Sequence, residues 1–334
     1  MAESVAGVNS MKANAVASAV FVTLLIAAGQ AQQTPRPPEI QFQSVPDVLK
    51  LPADLNFGEV AGVAVNSKGH IFIYHRGGRT QLFEFDRDGK FLREIGKDLY
   101  GFDFAHVVRV DKDDNIWCVD EGANVVIKFN PEGHVTMVLG RKWESVEGRP
   151  EQPPAGTPPP RARDNYFNRP TDVAWDAAGN IFVSDGYNNS RVAKFDKNGN
   201  WIKAWGERGS GPGQLNIPHT IATDAAGNVY VGDRSNRRIQ VFDGDGNVLR
   251  QSTGVEQPWA ICITPGPKQV IFSSDANSGK IFKVALDGTP IGSFGSFGKQ
   301  PKQFGWIHEI ACPSENELYV GELLNWRMQK LILK

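Results

Sequence analysis

DVAWDAAGNIFVSDG (residues 172–186) and TIATDAAGNVYVGDR (residues 220–234) are two copies of one unit. Each is a short apolar strand, a D-x-x-G-N turn, and a second strand with apolar and aromatic residues in alternation. The unit recurs as GVAVNSKGHIFIYHR from Gly62, VVRVDKDDNIWCVDE from Val107, AICITPGPKQVIFSSD from Ala260 and EIACPSENELYVGEL from Glu309. Successive copies therefore begin 45, 65, 48, 40 and 49 residues apart. A third strand follows, as in VAKFD (192–196) and IQVFD (239–243), and a fourth in WIKAWG (201–206) and FLREIG (91–96). Four strands every 40–50 residues is the signature of a propeller blade. Period-two alternation broken by turn residues leaves no 3.6-residue stripe and excludes a helical solenoid.

Six copies predict an all-β, six-bladed β-propeller over residues 40–334. The last copy runs out after three strands, so EIQFQSVPDV near residue 40 is expected to supply the fourth and close the ring, because closure removes exposed sheet edges. The wide third interval holds RKWESVEGRPEQPPAGTPPPRARDNY (141–166), whose prolines predict a surface insertion rather than a second domain.

Composition agrees. The 35 glycines and 21 prolines among 334 residues favour turns over helices. With 36 basic and 37 acidic residues the net charge is −1, which offers no basic stripe for nucleic acid. Residues 1–31 read as a signal peptide: Met11-Lys12, an apolar run from Ala13, then small residues at Gly29 and Ala31. That reading predicts a secreted or periplasmic protein with no membrane span once the signal is cleaved. The Pro-rich linker QQTPRPPE (32–39) follows it. Cys118, Cys262 and Cys312 lie in apolar strand-like runs without C-x-x-C spacing, and are expected to be buried structural cysteines, with at least one thiol left free by the odd count.

The repeat gives three histidines a shared position. His106, His219 and His308 each precede a repeat start by one residue, in copies two, four and six; copies one, three and five carry Ala61, Thr171 and Trp259 there. The first strand of each blade lines the channel, and alternate blades of six stand ~120° apart, so the three imidazoles are expected to converge on the axis. Three protein ligands with an open position match catalytic zinc. The loops between second and third strands fall on the same face and bring Arg76, Arg234 and Tyr187. Arginine suits a bidentate carboxylate, and a tyrosine beside a cation suits a general base. Arg191, Arg237 and Arg238 read as blade-packing or surface residues.

IFIYHRGG (71–78), PTDVAWDAAGNIFVSDGYNNSRVAKF (170–195) and WGERGSGPGQLNIPHTIA (205–222) make the resemblance specific. From about residue 58 to 330 the chain resembles NHL-repeat propellers, and among them the peptidyl-α-hydroxyglycine α-amidating lyases. The resemblance implies zinc on His106, His219 and His308, catalytic roles for Tyr187, Arg76 and Arg234, and a structural calcium on the carbonyls of Val63 and Val108 with Glu309. It implies a small-molecule or peptide substrate ending in α-hydroxyglycine, cleaved to an amide and glyoxylate. Three departures stand out. Glu309 replaces an aspartate, Trp306 replaces a methionine of the substrate pocket, and Asn188 replaces a disulfide cysteine. Either the hydroxylated precursor is expected from a separate protein, or the natural substrate is something else. Two other functions fit the same repeats: a non-catalytic NHL propeller binding a peptide, glycan or protein, and a metal-dependent propeller hydrolase or lactonase.

Overall fold

Each repeat becomes one antiparallel sheet. In blade one the strands Glu59–Val65, Ile71–Arg76, Thr80–Phe85 and Phe91–Ile95 pair in chain order, from the axis outward. Blades two to five repeat this with innermost strands Ala105–Val110, Asp172–Trp175, Pro218–Thr223 and Ala260–Ile263. Blade six has three strands of its own, Ile307–Ser314, Glu317–Glu322 and Arg327–Leu333, and takes its outer strand, Phe42–Val45, from the other end of the propeller. Phe42 stands opposite Leu333 and Val45 opposite Lys330, so the ring is closed by the N-terminal strand that the repeat count required. This computed structural model describes residues 37–143 and 162–334. The signal peptide, most of the linker and most of the insertion lie outside the described residues. Among the described residues no helix is long and apolar enough to cross a membrane.

The blades are held by one device repeated around the ring. The second strand ends in a buried acid, at Asp120, Asp185, Asp233, Asp275 and Glu322. Each accepts backbone N–H groups from the connection that enters its own blade: Asp185 from Asn168, Asp233 from Asn216, Glu322 from Gly305. In three blades an arginine opening the third strand completes the clamp. Arg191 pairs with Asp185, Arg238 with Asp233 and Arg327 with Glu322, and each also donates to carbonyls of the same connection. Arg191 and Arg238 are thus packing residues, as their sequence position suggests. Blade one has His75 at the acid's position, where Nδ1 accepts the Gly58 N–H at 3.2 Å.

The cysteines meet the expectation of one free thiol and add a pairing that it did not include. Cys118 is a free buried thiol, but Cys262 and Cys312 form a disulfide with Cα atoms 6.0 Å apart. They lie on the innermost strands of blades five and six. A pairing made across blades carries no local spacing signal, which is why reading C-x-x-C patterns missed it. Closing a 50-residue separation at the channel wall is expected to contribute about 2–4 kcal/mol. The Cys262→Ala/Cys312→Ala double variant should therefore melt several degrees lower under non-reducing conditions, and should match the parent once both are reduced.

Candidate metal and active site

The histidines sit on bulges. Between the two innermost strands the register slips near the start of the first strand in blades one, two, four and six. It passes from Val60 to Gly62, Ala105 to Val107, Pro218 to Thr220 and Ile307 to Glu309. The skipped residues are Ala61, His106, His219 and His308. A bulge removes one residue from the ladder and re-aims its side chain. Three of the four bulged residues are imidazoles, and their ring centroids stand 4.5–5.1 Å apart. One ligand nitrogen from each lies within 4.8 Å of the others, and all three rings are buried.

The far side of each ring explains its orientation. His219 Nδ1 lies 2.7 Å from the Trp259 carbonyl, and His308 Nδ1 lies 2.8 Å from that of Ala61. His106 Nδ1 turns toward the Thr171 carbonyl without reaching hydrogen-bond geometry. Ala61, Thr171 and Trp259 are the residues that hold the histidine position in the other three blades. His219 and His308 are thus braced by the next blade. A hydrogen bond at Nδ1 fixes the tautomer that leaves Nε2 free as a ligand. Burial holds all three well below the ordinary histidine range, with help from neighbouring imidazoles and from Arg76 and Arg234; His308 falls to about 3. Neutral imidazoles facing one point are a donor set that fits zinc.

Tyr187 comes to the same point. Its hydroxyl lies 3.1 Å from His219 Nε2 and 3.4 Å from His106 Nε2. Gly186 makes the approach feasible, since a Cβ there would stand 2.1 Å from the Pro218 carbonyl on the strand that carries His219. Arg76 is fixed by Glu59 Oε2 at 2.7 Å and the Ala105 carbonyl at 2.9 Å, over the Phe104 ring. Arg234 lies 4.5 Å above the Trp259 ring and 5.3 Å from that of Tyr187. Trp306 is 38% exposed on this face, 5.7 Å from Trp259. Asn188, in place of a disulfide cysteine, donates to Asn168 Oδ1 at 2.8 Å.

Two residues that sequence reading passed over belong to this cluster. Glu121 is buried with Oε2 3.8 Å from His106 Nε2. Arg169 pairs with Glu121 through Nε at 2.7 Å and through Nη2, and stacks on the Tyr187 ring at 4.4 Å. Glu121 ends its repeat copy at the position of Arg76 and Arg234, a signal present in the alignment of copies. Arg169 lies in the connection before blade three, where no repeat marks it. Burial raises the Tyr187 phenol, and Glu121 adds to the rise, while Arg234 and Arg169 pull it down. Replacing Glu121 by glutamine removes a negative charge beside the phenol and favours phenolate. If Tyr187 is the base, the acid limb of kcat/KM should move to lower pH in Glu121→Gln, and an unmoved profile would contradict that role.

The calcium expected on Val63, Val108 and Glu309 does not fit. All three lie on innermost strands and are buried, but the Glu309 carboxylate already meets Arg109 Nη1 at 2.9 Å. A cation cannot share that oxygen with a guanidinium without strong like-charge repulsion.

Residues 167–195 and 215–242 match the NHL repeat model. Peptidyl-glycine alpha-amidating monooxygenase B of Xenopus laevis is 30% identical over 80% of this chain and 33% of its own length. The probable peptidyl-alpha-hydroxyglycine alpha-amidating lyase of Caenorhabditis elegans is 33% identical over 43% of each chain. This chain thus spans about a third of the Xenopus relative and under half of the nematode one. Among solved structures, virginiamycin B lyase from Staphylococcus aureus superposes with a TM-score of 0.58 over 89% of this chain and all of that one, at 13% identity, a likeness of fold alone. The chain is an NHL-repeat six-bladed β-propeller with homologues named peptidyl-alpha-hydroxyglycine alpha-amidating lyase.

Proposed function

We propose that this protein is a zinc-dependent carbon–nitrogen lyase that splits an N-acyl- or peptidyl-α-hydroxyglycine into an amide and glyoxylate. The observation that carries the reading is the Tyr187 hydroxyl set between two Nε2 atoms of a buried three-histidine cluster. When bound there, zinc supplies a Lewis acid for the substrate's hydroxyl oxygen and a positive charge that favours the Tyr187 phenolate.

The chain's own residues account for the rest. Tyr187 takes the hydroxyl proton, the O–H electron pair becomes the new C=O, and the C–N pair leaves on nitrogen. The same phenol can return the proton to that nitrogen, so the reaction balances without water or a redox partner. Arg76, with Arg234, holds the substrate carboxylate and so fixes the C–N bond in line for cleavage. Trp306 and Trp259 offer an apolar wall to the acyl part. A disulfide at the channel wall supports an oxidising, exported setting, in line with the N-terminal signal reading.

The test is product identity. From α-hydroxyhippurate the lyase yields benzamide and glyoxylate in equal amounts. Benzoate as the product would point to a hydrolase, and no turnover by metal-loaded protein would point to a binding propeller.

A further inference from the structure

Arg109 lies on the innermost strand of blade two, three residues after His106. Its guanidinium meets Asp172 Oδ1 at 2.9 Å through Nε and Asp172 Oδ2 at 2.6 Å through Nη2. Nη2 also donates to the Ile261 carbonyl at 3.1 Å and reaches Thr220 Oγ1 at 3.5 Å, while Nη1 meets Glu309 Oε1 at 2.9 Å. These partners lie on the innermost strands of blades three, five, four and six. Together with its own strand, one side chain touches five of the six strands that line the axis.

The partners are themselves cross-linked. Thr220 Oγ1 donates to Asp172 Oδ2 at 2.8 Å, the Ile221 N–H reaches the same oxygen at 3.0 Å, and the Ile261 N–H donates to Thr220 Oγ1 at 3.0 Å. Asp172, Thr220 and Glu309 begin their repeat copies, one residue past the histidine position, so this network lies directly beneath the candidate metal site. The carboxylates raise the Arg109 pKa against burial, which lowers it.

We propose that Arg109 is the built-in cation of the axial channel, taking the place of the divalent ion implied by the family resemblance, so that this propeller closes without calcium. A planar guanidinium has five donors, enough to bind one carboxylate in two-point fashion and still reach a second carboxylate and a carbonyl. A divalent ion would gather the same kinds of oxygen, carboxylates and carbonyls. The inference is independent of the reaction proposed above.

Three proteins test it by thermal melting and metal analysis: the parent, Arg109→Gln and Arg109→Lys, each stripped with EGTA and reloaded with zinc. The parent is expected to hold no calcium, and its Tm should move with neither EGTA–zinc treatment nor millimolar calcium. Leaving two buried carboxylates without their cation should lower the Tm of Arg109→Gln by about 5–10 °C. Calcium, added alone, should raise it again by filling the vacated oxygens. If the glutamine variant does not fold, the lysine variant carries the comparison. It keeps the charge, loses the fork, and should melt below the parent without responding to calcium. One calcium per chain in the parent, a parent stabilised by calcium, or an Arg109 variant that melts with the parent overturns the proposal.

Discussion

Tyr187→Phe is expected to keep its metal, its fold and its melting temperature, and to lose about 10²–10⁴-fold in kcat. The substitution removes one oxygen and leaves the ring, so the stacking of Arg169 at 4.4 Å and the packing beside Arg234 survive. That oxygen is the group placed 3.1 and 3.4 Å from two candidate ligand nitrogens, where the proposed reaction would deprotonate the hydroxyl of a bound substrate. Substrate affinity should change little, because the proposed carboxylate clamp is on Arg76 and Arg234. A rise in KM at unchanged kcat would move Tyr187 out of the chemistry and into binding.

His219→Ala should lose metal and turnover together. His219 supplies one of three converging candidate ligands, and its Nδ1 bond to the Trp259 carbonyl is lost with it. Losing only such a supporting bond costs roughly 10–100-fold in metal affinity, so losing the ligand itself should cost more. Metal analysis after dialysis should show about one zinc per chain in the parent and almost none in the variant. The bulge belongs to the backbone register, so the variant should still fold. Full activity with no bound metal would remove the histidine cluster from the mechanism.

What was legible in the sequence was whatever repeats. The D-x-x-G-N turn and its flanking strands set the blade, the count set the ring, and the truncated last copy called for the strand now formed by Phe42–Val45. The histidine alternation was legible for the same reason, since one repeat position maps to one height on the axis. Its physical cause was not. The register slip that pushes Ala61, His106, His219 and His308 out of the ladder leaves no mark in composition or periodicity.

Contacts made between blades were the ones missed. Cys262 and Cys312 look like separate apolar-strand cysteines until two innermost strands lie side by side. Arg109 reads as an ordinary polar residue in VVRVD, yet it reaches residues 63 and 200 positions away in Asp172 and Glu309. Through that contact Glu309, expected to hold calcium, meets a guanidinium instead. Glu121 was within reach of the repeat alignment, at the position shared with Arg76 and Arg234. Its role depends on Arg169, which no repeat marks.

The most direct test is a zinc titration of metal-stripped protein, following glyoxylate released from α-hydroxyhippurate at each addition. A single three-histidine site running the lyase reaction, in a channel whose other cation is Arg109, predicts activity that rises linearly to one zinc per chain and then stays level. Glyoxylate release that ignores zinc, or a zinc-saturated protein that releases none, would contradict the account.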